Sequence, residues 1–330
     1  MLFNDPYPGG QLIMTSTRQA VGVVVLPSFH SHLCEATKTG VTETGVCLPY
    51  FTCLAVGAVH KGHCRLGLGH CCVFEKTCGQ NSKSKVTYFT DARVNATSLS
   101  NCAVVINKAH NICQLRLSMI ELELSEPNYE GVCDNQYLQV IGADKQMFHI
   151  CGTNTGQHSP VGCDQYYLQS TGSVKSFNYA TTPSSALIPN TVWPGTRHLQ
   201  ETYTICVKPG LNHCGLSWTP SSDQPSFTIT DQYFSNETLP GGGVVDSLCG
   251  RGVNGTFTDY LMIPGGQVYT TTTSTISTPG SVFCGIQFPP EVRAPGYQIT
   301  FVANNQEASN NDADNRGFHL LYREHTNCRF

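Results

Sequence analysis

The chain has 330 residues, 13% of them charged, and a formal net charge of -4. That balance gives no electrostatic reason to expect a nucleic acid or an acidic lipid surface as partner, and no run of about 18 apolar residues marks a membrane span. Seventeen cysteines spread from Cys34 to Cys328 point to disulfides formed in an oxidising compartment, not to one or two metal-binding pairs. Sequons at Asn95, Asn236 and Asn254 agree with secretion and are the expected N-glycosylation sites.

In chain order, residues 1–32 read as an N-terminal segment with one strand. The opening MLFNDPYPGG has an Asp, two prolines and no basic charge, so a signal peptide is not evident there. The apolar run AVGVVVL (Ala20–Leu26) reads either as a signal-peptide core flanked by Arg18 or as a β-strand, and its valine content favours the strand.

Residues 33–77 hold six cysteines: Cys34, Cys47, Cys53, Cys64, Cys71 and Cys72. The stretch GHCRLGLGHCC (Gly62–Cys72) could be a zinc cluster of His63, Cys64, His70 and Cys71 or Cys72, or the closing end of a disulfide knot. Adjacent side chains such as His63 and Cys64 diverge, and no second pair is spaced for a tetrahedral site. The glycines supply tight turns and close backbone approach. A metal-free, oxidised knot is expected, with its histidines in exposed loops. Six cysteines allow fifteen pairings, and sequence alone does not choose among them.

Beyond residue 77 the chain reads as short strands separated by Gly, Pro and Asn turns, the pattern of a β-sandwich. The candidates include AVVIN, QYLQVIG, TYTICV, SFTIT, DYLMIPG, YQITFVA and GFHLLY. In QLRLSMIELEL (114–124) the apolar alternation shifts phase between Met119 and Ile120, which predicts a bulge or bend in a half-buried strand. An internal repeat is visible. NCAVVINKAHNICQLRL, ending at Leu117, parallels ICVKPGLNHCGLSW, ending at Trp218, and HICG (149–152) parallels VFCG (282–285). Two modules follow, at 78–158 and 159–330.

The knot's spacing, six cysteines ending on CC, resembles the clip domain of arthropod proteases and their non-catalytic relatives. That resemblance implies the pairs Cys34–Cys71, Cys47–Cys64 and Cys53–Cys72. Both repeats resemble the CUB domain, a disulfide-linked β-sandwich of secreted proteins, through Cys78-Gly79, Asn101-Cys102, Cys133 and Cys151-Gly152 in the first. In the second the matching residues are Cys163, Cys206, Cys249, Asp259-Tyr260, Cys284-Gly285 and GFHLLY. ICGTNTGQH and NRGFHLLY, with Cys113 and Cys214, look like a group of arthropod secreted proteins with a clip-like knot and tandem CUB modules. The CUB resemblance implies Cys78–Cys102, Cys133–Cys151, Cys163–Cys206, Cys249–Cys284 and Cys214–Cys328. The fold class is therefore all-β and disulfide-rich, a small knot followed by two sandwiches.

The first module departs from the pattern. It passes from Cys151 to Cys163 in 12 residues, where the second spends 44 between Cys284 and Cys328. About 30 residues are lacking near Gln157–Pro160, including a mate for Cys113, which is left unpaired. Such a module would be incomplete, with open sheet edges closed by omitted residues or by another chain.

No protease signature of the GDSGG or AAHC type occurs, nor HExxH or GxSxG, so no catalytic residue is assigned. The twelve histidines are scattered, as solvated surface residues would be. Many CUB domains hold calcium with a Glu and two Asp. Here Asp259 with Asp312 or Asp314 match two ligands, Asp223 is the nearest substitute for the Glu, and the first module offers Glu123 and Asp134. Calcium takes six or more oxygen ligands, which neither module displays, so a solvated turn at Asp312–Asp314 is the competing reading. No other cofactor is expected. The threonine-rich stretch between Tyr269 and Pro279 reads as an O-glycosylated loop or a flexible hairpin tip. The expected function is secreted, non-enzymatic binding or scaffolding of extracellular proteins, with self-association included. A non-catalytic cofactor of a clip-protease cascade and a structural matrix component are the alternatives.

Overall fold

The computed structural model describes residues 11–16, 20–25, 33–38, 41–64, 67–84, 86–90, 102–107, 115–128, 130–141, 149–160, 163–179, 197–223, 225–229, 244–245, 249, 259–269, 277–285, 287–304 and 316–326. Asn95, Asn236, Asn254, Cys113, Cys328, Asp312 and Asp314 lie outside them, as does most of the threonine-rich stretch. The described chain is almost wholly β and forms two compact units.

The first unit contains β1 (Gln11–Ser16), β2 (Ala20–Val25), the knot and the first sandwich. The knot is a sheet of β3 (Leu33–Lys38), β4 (Val41–Leu48), β5 (Val59–Cys64) and β6 (Gly69–Val73), in the order β3-β4-β6-β5. A short helix, α1 (Tyr50–Ala55), joins β4 to β5. Pro49, which cannot continue a strand ladder, caps its N-terminus, and the helix buries only Cys53.

The sandwich uses β7 (Glu75–Lys76), β8 (Asn81–Ser82), β9 (Val86–Thr90), β10 (Cys102–Asn107), β11 (Arg116–Leu122), β12 (Leu138–Ile141) and β13 (His158–Pro160). One sheet runs β12-β1-β10-β8 and the other β13-β11-β2-β9-β7. The bulge expected in 114–124 falls between Met119 and Glu121 of β11, opposite Gly22 and Val21 of β2. It moves the buried set from Leu117 and Met119 to Leu122 and Leu124, keeping both halves of the strand on the core. Phe89, Ile106 and Met119 are fully buried at the centre of this unit.

The second unit uses β14 (Gln165–Tyr167), β15 (Thr171–Lys175), β16 (Tyr203–Val207), β17 (Gly215–Pro220), β18 (Phe227–Thr228), β19 (Val244–Val245) and β20 (Tyr260–Met262). β21 (Gln267–Tyr269), β22 (Ser277–Pro279), β23 (Val282–Cys284), β24 (Glu291–Ala294), β25 (Gln298–Val302) and β26 (Gly317–His325) complete it. Its sheets run β14-β16-β25-β20-β23-β19 and β15-β26-β17-β24-β21-β22. The core is aromatic: Trp218, Tyr203, Phe177, Phe227, Phe283, Phe301 and Phe318 are fully buried. Tyr203 sits edge-on to Phe177 at 4.9 Å and near Phe301 at 5.2 Å, distances at which ring pairs attract.

The topologies correct the expectation of an incomplete first module. β1 lies between β10 and β12, the place that β25 holds between β16 and β20. β2 lies between β9 and β11, the place of β26 between β15 and β17. Pair directions agree throughout: β8 and β14 are parallel to β10 and β16, and the other corresponding pairs are antiparallel. The first module is thus a circular permutation of the second, its last two strands arriving first in sequence and the knot inserted after them. Residues 1–32 supply two strands where one was expected. β13 runs through His158–Pro160, paired with β11, where residues were expected to be lacking.

The division at 158/159 is also displaced. Ser125–Asn135 and Ile150–Asn154 belong to the second unit, stapled to each other by Cys133–Cys151. Asn178 holds them in place. Its backbone φ of +62° is one that Asn tolerates better than most residues. Its backbone N–H donates to Asn154 Oδ1, its Oδ1 accepts from the Thr153 N–H, and its Nδ2 donates to Glu126 Oε2 and the Arg197 carbonyl. Gly152, at φ +74°, has no room for a Cβ against this side chain.

Candidate functional site

Two regions carry the residues singled out in the sequence, the knot and a polar centre in the second module.

In the knot, Cys71 and Cys72 are neighbours on β6, so their side chains leave opposite faces and reach different partners. Cys71 bonds Cys34 on β3, and Cys72 bonds Cys53 on α1. Cys47 bonds Cys64. Every cysteine of the zinc alternative is therefore consumed in a disulfide. Gly69 permits the crossing, because a Cβ there would stand 2.6 Å from Cys47 Sγ. With so little core, these cross-links carry much of the knot's stability.

The histidines are not in loops, as expected, but on paired strands. His63 stands opposite His70, and His60 opposite Cys72. A register shift between His60 and Gly62 turns residues three apart toward the same side, where a regular strand would send them to opposite faces. The ring centroids of His60, His63 and His70 are 4.5 to 5.4 Å apart, with Tyr50 against His70 at 5.1 Å. Loss of hydration and the neighbouring His60 and His63 hold the His70 imidazole below its usual pKa.

Beside this cluster the knot presents apolar side chains to solvent. Phe51 is 83% exposed, and Tyr50, Leu54, Val56 and Val59 are also exposed. Phe51 and Leu54 are one helical turn apart and share a face of α1. They are outside because Cys53 takes the single inward position on so short a helix.

The second module's polar centre is built on Asp259, just before β20 and almost fully buried. It accepts hydrogen bonds from Gln200 Nε2 at 3.0 Å and the Asn304 N–H at 2.7 Å, and His198 Nε2 lies 3.5 Å away. Burial pushes the pKa of the His198 imidazole down despite that carboxylate. The Gln200 N–H donates to the Gly131 carbonyl, and Gly131, at φ +75°, packs directly on Gln200. Asp259 is therefore satisfied by protein donors beneath the stapled segment. Asp223, the nearest substitute for a calcium-binding Glu, serves elsewhere, bonded to His319 Nδ1 at 2.8 Å and to the Tyr179 hydroxyl. Burial opposes its charge, but hydrogen bonds from Ser221, Tyr179 and His319 outweigh it and hold the carboxyl at about 2. Asp134 accepts from Asn128 Nδ2, and Glu123 is exposed. Among the described residues no oxygen-rich group suited to calcium is assembled.

The remaining bonds are Cys78–Cys102, Cys163–Cys206 and Cys249–Cys284. Cys214 is also disulfide-bonded; Cys328, the mate the resemblance implies, lies outside the described residues.

Two-sheet sandwiches with paired cysteines at corresponding places define the molecule as a tandem of disulfide-linked β-sandwich modules. Residues 160–325 match the animal CUB domain profile, 166 residues or just over half of the chain, and the protein belongs to that family. No curated relative matches by sequence. Solved structures similar to the chain include the CUB1-EGF-CUB2 domains of rat MASP-1, at 12% identity and a TM-score of 0.25, covering 96% of this chain and 92% of that one. The CUB1-EGF-CUB2 domain of human MASP-1/3 gives 13% identity and a TM-score of 0.25, covering 97% of each chain. No helix is long and apolar enough to cross a membrane among the described residues.

Proposed function

We propose that the protein is a secreted, non-enzymatic binding protein whose knot docks an extracellular protein partner. CUB domains generally mediate protein–protein interaction, and the family is generally non-catalytic. The bonded cysteines in both units suit an oxidising, extracellular setting. The observation that carries the reading is the apolar face of α1, with Phe51 83% exposed. Covering a side chain of that size contributes about 1.5–3 kcal/mol. The polar centre at Asp259 is engaged internally, which supports the knot over the second module as the docking surface.

The test is capture of partners from the source's extracellular fluid by the intact protein and by Phe51→Asp/Leu54→Asp, with mass spectrometry of what is retained. The reading expects a defined partner held by the native protein and lost by the variant, whose melting temperature is unchanged because both residues are exposed. Equal capture by both would contradict it. A protease zymogen as the partner would specify a cascade cofactor, and a second copy of the chain an assembly component.

A further inference from the structure

The knot brings three imidazoles together on one side of its sheet. His60 and His63 on β5 and His70 on β6 each offer a ring nitrogen, and the three atoms lie within 4.8 Å of one another. Zinc bound at about 2.0–2.1 Å to tetrahedral imidazoles needs those nitrogens about 3.3–3.4 Å apart. The adjustment is of the order of an ångström, within reach of χ rotation on a solvent-facing sheet. His60 Nε2 and His70 Nδ1 are shielded from solvent and have no hydrogen-bond partner. Leaving such atoms unsatisfied costs about 1–3 kcal/mol each, and a metal ion between the rings would satisfy them.

The backbone beneath the rings is unusually fixed. His63 precedes Cys64, which bonds Cys47, and His70 precedes Cys71, which bonds Cys34. His60 stands opposite Cys72, which bonds Cys53. Each ligand position is thus adjacent in sequence or across the strands to a disulfide, and the bulge between His60 and Gly62 brings the third ring round to the other two. Rings held this way lose little freedom when they gather around an ion.

We propose that His60, His63 and His70 form a three-imidazole site for a divalent transition-metal ion, zinc foremost, with the fourth position open to solvent. The ligand chemistry selects the metal. Neutral imidazoles suit zinc, copper and nickel, whereas calcium and magnesium need oxygen donors that the site lacks. Every cysteine of the knot is in a disulfide, so no thiolate competes for the ion.

The experiment uses the full, oxidised chain. Zinc is titrated calorimetrically, and cobalt(II) is added as a spectroscopic probe whose visible absorption reports four-coordinate nitrogen ligation. Expected are one ion per chain and a tetrahedral cobalt spectrum displaced by zinc. His63→Ala, His60→Ala and His70→Ala should each weaken zinc by more than the about 10- to 100-fold typical of losing a supporting partner. Intact mass under non-reducing conditions verifies that each variant retains its disulfides. A second measurement needs no variant: bound zinc should slow acylation of His63 by diethyl pyrocarbonate, read by peptide mapping. No uptake by the native chain, uptake unchanged in all three variants, or unprotected His63 at saturating zinc would each overturn the proposal.

Discussion

The two sandwiches fill the same strand places from opposite ends of their sequence. In the second, the strand between β16 and β20 and the strand between β15 and β17 come last, as β25 and β26. In the first those places belong to β1 and β2, with the knot and the other strands following. Sheet pairing requires a backbone ladder in the right direction and a face toward the core, and it is indifferent to which terminus supplies the strand. Closing a longer loop adds only about 0.6 kcal/mol for each doubling of its length. A knot of some 45 residues can therefore stand between β2 and the rest of its module at small cost.

If β2 and β26 are equivalent, breaking either should be equally severe. Val23→Pro in β2 removes an amide between Ser118 and Tyr88, and Leu320→Pro in β26 removes one between Val174 and Pro220. Each is expected to cost about 3 kcal/mol or more, since proline in a central strand both clashes and deletes a ladder bond. Unfolding followed by hydrogen exchange should show each substitution melting its own unit first. A silent Val23→Pro beside a destructive Leu320→Pro would break the equivalence.

The stapled segment is the next difference, because the second unit borrows Ser125–Asn135 and Ile150–Asn154 from between strands of the first. Replacing Cys133 and Cys151 together by alanine should cost about 2–4 kcal/mol in a urea melt of the second unit. A loss confined to the first unit would reassign the segment.

Glu126 gives the same segment a pH dependence. Burial raises its carboxyl to about 7, although the hydrogen bond from Asn178 pulls the other way. A folded pKa raised above the unfolded value favours folding fully below about 4.5, and that contribution is lost as pH rises through about 7. Stability should fall over that window by up to about 3 kcal/mol. Glu126→Gln, which keeps an acceptor for Asn178, should flatten the profile and stabilise the protein at pH 8. An unchanged profile would show that Glu126 is not buried as described.

The smallest effect is expected at Asp223. Its lowered pKa contributes stability above about pH 4 that is lost as pH falls through about 2. Because the group keeps part of its surface in water, which screens its interactions, Asp223→Asn should remove less than about 1 kcal/mol of that acid sensitivity. A larger loss would mean that the ion pair with His319 is better shielded than its exposure implies.

Much of the architecture is legible in the residues. The phase shift at Met119–Ile120 marks the bulge in β11, and the repeated cysteine-opened strands mark two copies of one module. The order of the first module is not legible, because a repeat search aligns segments in sequence order and QLIMTS is too short and too polar at its end to stand out as a strand. The knot's pairing is open to fifteen solutions on cysteine count alone and rests on the resemblance to the clip domain. The histidine cluster stayed hidden for a geometric reason. In HKGHC the two histidines are three residues apart, a spacing that puts them on opposite faces of a regular strand, and only the bulge, a property of the pairing with β6, puts them on one side. Asp259 could be located but not interpreted, since its partners Gln200 and Asn304 are distant in sequence.

Hydrogen–deuterium exchange of the intact protein tests most directly whether the N-terminal strands complete the first sandwich. Amides of 11–16 and 20–25 should exchange as slowly as those of 102–107 and 116–122, with which they pair. Exchange of both N-terminal stretches at the rate of an unstructured chain, while 102–107 and 116–122 remain protected, would contradict the permutation.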